Sequence, residues 1–192
     1  NDVDEAELKK PTLHVDMPVW GDAKELLSKM EKVLGGMEKS GQLAGGKLFQ
    51  NEEWVKTCQN WKEKYPVVLP KHYEDKDHAN VYAFIKELSR RLDEGQVTVV
   101  GNGSACVVGS HGYEIKKDQR FIINSAIASM GYDLPAAIGA AVAEFGDEAL
   151  NGRSLGKKVK DIILVTGDGS IQMNIQERQT IIHHKMPITI FI

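Results

Sequence analysis

From about residue 77 onward, short apolar runs alternate with segments of helical period, and this alternation constrains the fold more than any other feature of the chain. "HANVYAFIKELSRRLDEG" aligns Val81, Phe84, Ile85, Leu88 and Leu92 on one helical face and is closed by Gly95. "QVTVV" reads as a strand, and "RFIIN" as a second one followed by the loop and small-residue helix of "SAIASMGYDLPAAIGAAVAEFG". "DIILVT" is a third strand, "IQMNIQERQTIIHHK" a single helix running to Pro187, and "ITIFI" the start of a fourth strand. Strands that return in the same direction need helical crossovers. The expected class is therefore α/β, a parallel sheet flanked by helices on both faces.

Upstream of this region the pattern is less regular. "TLHV", residues 12–15, reads as a short strand. The helix of "GDAKELLSKMEKVL" comes next, with Ala23, Leu26, Leu27, Met30 and Leu34 on one face, and Asp22 with Glu25 forms an N-cap signature. The glycine-rich "GGMEKSGQLAGGK" reads as loop, and "NEEWVKTCQNWKEKY" as a short helix whose Trp54, Cys58 and Trp61 stripe suits packing onto a neighbouring domain. Pro66 and Pro70 bracket an extended connector. We expect the end of a central α/β domain over residues 1–38, a linker over 39–76, and a second α/β domain over 77–192. The chain opens at Asn1 in a charged stretch and finishes on an apolar strand, which reads as a segment of a longer polypeptide with the second domain truncated on its C-terminal side.

Charge and cysteine usage narrow the function classes. Lys plus Arg number 24 against 27 Asp plus Glu, giving a net charge of −3, so nothing argues for a nucleic-acid partner. No apolar run reaches membrane-spanning length and no signal-type segment opens the chain, so the expectation is a cytoplasmic protein without a membrane partner. Cys58 and Cys106 have neither metal-ligand nor disulfide-framework spacing. His183 and His184, adjacent on one helix, are poorly placed to share a metal and suit the helix C-terminus instead.

In parallel sheets ligands bind beyond the carboxyl ends of the strands. Three loops fall there, Gly101–Ala105, Ser125–Met130 and Gly167–Ser170. Glycines at 167 and 169 let the backbone turn and approach a ligand, and a helix start favours phosphate. Asp168 between them would repel a phosphate unless a cation such as Mg²⁺ lay between the two. Two readings stand for Asp168, a metal ligand or a cap for the next helix. "GNGSA" is either a ligand-binding turn or merely a tight connection. It is not the Gly-x-Gly-x-x-Gly dinucleotide pattern, because Cys106 occupies the third glycine position, and no Gly-Lys-Ser/Thr occurs.

Taken together, "GNGSA", "SAIASMGYDLPAAIGAAVA" and "VTGDGSIQMNIQERQTIIHHKMPITIFI" resemble the pyrophosphate-binding domain of thiamine-diphosphate-dependent enzymes, most closely the acetolactate synthase group. "NDVDEAELKKPTLHVDMPVWGDAKELL" is similar to the end of that group's central domain. The resemblance implies an enzyme that decarboxylates a 2-oxoacid with thiamine diphosphate and Mg²⁺ and joins the product to a second carbonyl compound, working as a homodimer or homotetramer with the cofactor at the subunit interface. It implies Asp168 as a Mg²⁺ ligand, Gly167, Gly169 and Ser170 around the diphosphate, and Gly103, Ser104 and Ala105 closing over it. Met130 matches the apolar wedge that bends the cofactor, with core packing as its other reading, and the Ala128 carbonyl would accept a hydrogen bond from the aminopyrimidine.

By the same resemblance the activating glutamate and the asparagine partner of the metal motif lie outside these residues. No catalytic residue is expected in the segment, which alone would be inactive. Whether a flavin (FAD) also binds in the central domain is left open by the residues. Two departures stand out. Ser104-Ala105 replaces the group's usual Gln-His pair, and Asp133 replaces a usual glycine. They leave room for a relative acting on another acyl donor, such as an oxalyl-CoA, benzoylformate or sulfonate substrate, or for a non-catalytic module that keeps the cofactor fold.

Overall fold

The computed structural model describes residues 1–12, 14–42, 51–147 and 160–192. The chain forms two compact units, Asn1–Lys64 and Tyr65–Ile192.

The first unit is helical. A one-turn helix α1 (Glu5–Leu8) is capped by Asp4, and the long α2 spans Ala23–Lys39. The Asp22 carboxylate accepts from the amides of Lys24 and Glu25, the cap expected from its spacing. Two local expectations fail. Thr12 lies in a turn and His14 and Val15 are irregular, so no strand forms at these described residues of "TLHV", Leu13 lying outside them. The glycine pair Gly35-Gly36 continues α2 instead of ending it. The helix stops where Gly41 takes φ +72°, with Gln42 N–H bonding back to Met37 O at 3.0 Å. Glycine weakens a helix interior without forbidding it, and the left-handed residue is what terminates this one. Helix α3 (Glu52–Lys64) sets Trp54 and Trp61 edge to face at 5.6 Å.

The second unit holds the sheet. Strands β1 (Val97–Val100), β2 (Arg120–Ile123), β3 (Ile162–Val165) and β4 (Ile188–Phe191) are all parallel in the order β2-β1-β3-β4. Every residue of β1 and β3 is buried, as strands covered on both faces require. Alternation along them splits the core in two. Val97, Val99, Ile162 and Leu164 face α6 (Asp133–Phe145), α7 (Asp168–Met173) and α8 (Glu177–His184) through Leu134, Ala137, Ala141, Ile171 and Ile181. Val100, Ile163 and Val165 face α4 (Val81–Arg91) and α5 (Ser104–Gly112) through Ile85, Ala105 and Val108. A parallel sheet flanked by helices is the class expected from the sequence.

Chain order fixes where this sheet opens. The β1-to-β2 crossover runs through α5 on one face, while the crossovers from β2 to β3 and from β3 to β4 run through α6 and through α7 and α8 on the other. The loops leaving the adjacent strands β1 and β3 therefore part to opposite faces and leave a crevice at the carboxyl ends of the strands.

The expected single helix after β3 is broken. Residues 174–176 form a turn between α7 and α8, and Asn174 leaves helical geometry at φ −133°, ψ 34°. Its side-chain amide donates to the Gly131 carbonyl at 2.6 Å, a contact that continuous helix would not offer. Helix α4 likewise stops at Arg91, before Gly95.

Leu134 is fully buried between α6 and the sheet. In the full-length protein Leu134→Ala is expected to destabilise this unit by about 2–5 kcal/mol, measured by urea unfolding, against less than about 0.5 kcal/mol for truncating the exposed Val107.

Candidate functional site

A cavity of about 560 Å³ fills the crevice. Its floor and walls come from the three loops singled out in the sequence. Asn102, Gly103, Ser104 and Ala105 line it after β1, Met130 on the α6 side, and Thr166 to Ser170 after β3. The remaining wall is apolar, including Val81, Phe84 and Phe191, and the two phenyl rings meet at 5.3 Å.

The β1 turn is built around Gly103, at φ 68° and ψ −134°, a conformation that side chains other than hydrogen rarely adopt. It delivers Ser104 as the exposed first residue of α5 and buries Ala105 to 5% exposure. The β3 turn is different. Gly167 is extended at φ −108° and caps α7 without any side-chain hydrogen bond. Asp168 is thus not the helix cap that was one of its two readings. Its carboxylate is exposed, makes no hydrogen bond or ion pair among the described residues, and lines the cavity. It is the one ionisable side chain in that lining among the described residues.

Met130 is 45% exposed at the cavity wall, so core packing does not account for it. A Cβ placed on Gly169 would lie 3.0 Å from the Met130 methyl, so the glycine makes room for the thioether. Ala128 sits earlier on the same loop, outside the cavity lining among the described residues, and holds φ 55° without being glycine. Its amide donates to Asn124 O at 2.9 Å in that left-handed geometry.

Ser170 lines the cavity yet is only 3% exposed, and its hydroxyl accepts from the Gly131 amide at 2.9 Å. With the Asn174 bond to the Gly131 carbonyl, both polar groups of one peptide position are tied to α7 and the turn beyond it. Gly131 itself has φ 82°, and a Cβ there would come within 2.9 Å of both Asn174 Nδ2 and Met173 Cβ.

Three residues at the site escaped the sequence reading. Asn102 and Thr166 line the cavity, and Asp133, noted only as a departure, lies fully buried with its carboxylate on the Thr166 hydroxyl. Asn102 lies inside "GNGSA", and a threonine closing an apolar strand before Gly-Asp-Gly was the available signal for Thr166.

The donor set fits a metal-bound diphosphate better than a metal alone. Among the described residues no group of three or more His, Cys, Asp or Glu side chains converges on one point. A lone carboxylate with backbone oxygens suits Mg²⁺, which commonly takes one or two carboxylates and completes its shell with phosphate oxygens and water. A diphosphate beside Asp168 without such a cation would meet a like charge there.

These features define a parallel-sheet α/β domain with a crevice at the β1/β3 switch point, the position at which such sheets bind ligands. Residues 101–192 match the family described as thiamine pyrophosphate enzyme, C-terminal TPP binding domain. The chain is 28% identical over 190 residues to the acetolactate synthase isozyme 3 large subunit of Escherichia coli, covering 98% of the chain and 29% of that protein. It is 31% identical over 199 residues to the acetolactate synthase large subunit of Cyanidium caldarium, covering 100% of the chain and 28% of that protein. A probable acetolactate synthase large subunit of Methanocaldococcus jannaschii is 27% identical over 197 residues, with coverage of 100% and 29%. Along its whole length the chain is similar to thiamine-diphosphate-dependent enzymes of the acetolactate synthase group, and residues 101–192 match their C-terminal cofactor-binding domain. It spans less than a third of the length of these curated relatives.

In the full-length protein, Gly131→Ala is expected to cost about 1–3 kcal/mol, because it adds backbone strain and displaces Asn174. Asn174→Ala, which removes one hydrogen bond, should cost only about 0.5–1.5 kcal/mol. Urea unfolding of the two variants checks the order.

Proposed function

We propose that the full-length protein uses this crevice to hold thiamine diphosphate through Mg²⁺, and that it decarboxylates a pyruvate-like 2-oxoacid and joins the product to a second carbonyl compound. The observation that carries this reading is the Asp168 carboxylate, exposed and without a hydrogen-bond partner among the described residues, in a cavity walled by glycine turns. Asp168 would supply an oxygen to the metal. Gly103, Ser104 and Ala105 from one side, and Gly167 and Gly169 from the other, would enclose the diphosphate, with Ser170 fastening the loop that carries Met130. Met130 would hold the cofactor's rings in the bent arrangement, and the Ala128 carbonyl would orient its aminopyrimidine.

When bound, the thiazolium ring supplies the electron sink for loss of CO₂. The chain's own contribution is to position the cofactor, neutralise it through the metal, and keep water away with the apolar wall at Val81, Phe84 and Phe191. Residues 1–38 fit the end of a central domain, and the activating glutamate would come from another domain across a homo-oligomer interface. No helix among the described residues is long and apolar enough to cross a membrane. Cys58 and Cys106 are both free thiols, in keeping with a cytoplasmic setting. The small side chains of Ser104 and Ala105, where related synthases carry Gln-His, favour an acceptor carbonyl different from theirs.

Asp168→Ala in the full-length protein is expected to weaken Mg²⁺-dependent thiamine diphosphate binding by more than about 100-fold, since it removes a direct ligand. Calorimetric titration checks this, and unchanged affinity would remove Asp168 from the metal site. Met130→Ala should instead lower turnover by up to about 100-fold, by misplacing the cofactor's rings, while metal affinity stays near that of the parent. CO₂ release and product identity across a panel of 2-oxoacids and acceptor aldehydes test the reaction itself.

A further inference from the structure

Asp133 stands apart among the buried groups of the second unit. It is 0% exposed, it is the first residue of α6, and among the described residues it forms no ion pair. A buried carboxyl without a cationic partner is costly unless its oxygens are occupied by well-placed donors. Here both are. One oxygen accepts from the Leu134 amide at 3.0 Å, and the other accepts from the Thr166 hydroxyl, itself 5% exposed. No buried side-chain nitrogen or oxygen among the described residues lacks a partner.

The place of this carboxyl in the fold gives it a function. Thr166 is the first residue beyond β3 and directly precedes Gly167 and Asp168, while its amide is held by Phe191 O at 2.9 Å. On the other side lies Gly101, the first residue beyond β1, whose amide bonds to Val165 O at 2.8 Å. A Cβ built on Gly101 would collide with Asp133 Oδ2 and lie 3.1 Å from its Cγ. The carboxyl thus occupies the space directly over the Gly101 backbone and grips Thr166 at the same time. It sits where the two crossovers part, wedged between the two turns that enclose the crevice.

We propose that Asp133 is a positioning residue, a buried strut that sets the spacing between the β1 turn at Gly101–Gly103 and the β3 turn at Thr166–Asp168. The inference rests on the functional reading above, because the spacing it sets is that of the groups holding the diphosphate and its metal. Glycine at 101 and aspartate at 133 form a matched pair. The larger residue at 133 fills the volume that any side chain at 101 would need.

The test uses the full-length protein and two readouts, the dissociation constant for thiamine diphosphate at saturating Mg²⁺ and the unfolding midpoint without cofactor. Asp133→Asn has one acceptor oxygen for two donors and is expected to weaken cofactor binding by about 10-fold. Thr166→Val should do the same, and the double variant should be no worse than either single one, because both remove the same link. Gly101→Ala is expected to weaken binding by about 10- to 100-fold, and Asp133→Gly in that background should recover most of the loss by vacating the volume. If Gly101→Ala does not fold, recovery of folding in the double variant supports the strut and continued failure overturns it. Affinities within about twofold of the parent in Asp133→Asn and Thr166→Val, with only a lower midpoint, would reduce Asp133 to an ordinary core group and overturn the inference alone. A parent protein that fails to bind thiamine diphosphate would instead overturn the functional reading, and this inference with it.

Discussion

The parting of two adjacent crossovers is the constraint on which the rest depends. Strands β1 and β3 are neighbours in the sheet, yet the chain leaves them toward opposite faces. No covering helix can then close the sheet at that point, and the ends of both strands stay open. The glycine turns, Met130 and Asp168 all line this gap. The glycine turns form because the backbone must bend away at once, and the lone carboxylate at Asp168 is exposed because it starts the helix at the gap's rim. The same topology that buries every residue of β1 and β3 thus produces the unburied site between their ends.

The third loop is held by a different device. The segment that carries Met130 crosses from β2 to α6 and has no strand neighbour of its own. It is fastened to the α7 region at Gly131, whose amide and carbonyl are both taken up by side chains there. Positive φ at Gly131 permits the double attachment, and the small residue avoids Met173 and Asn174. Met130 and Asp168 therefore belong to one connected piece of structure even though they lie 38 positions apart in the chain.

Much of this was legible in the sequence because the relevant signals are local. Buried parallel strands announce themselves as β-branched runs, and Val97, Val99, Ile162 and Leu164 are of that kind or close to it. The three loops could be located because each comes directly after such a run. The features that escaped depended on partners distant in sequence. The apolar period through Ile171 and Ile181 reads as one helix, but it breaks at Asn174, whose side chain reaches Gly131. Asp133 looked like a mere substitution for glycine, since its partner Thr166 lies 33 residues further on. Gly35 and Gly36 misled in the opposite way, because their composition signals a loop while nothing in their surroundings obliges the helix to stop.

The break between α7 and α8 divides the labour of the chain beyond β3. The first piece is stitched to the Met130 loop at Gly131 and also rests on the sheet through Ile171, whereas the second rests on it through Ile181. The turn between them frees the Asn174 amide for that loop while both pieces keep their apolar side chains in one layer. A displacement of the segment that begins at Asp168 would therefore be shared by the loop above and by the core beneath.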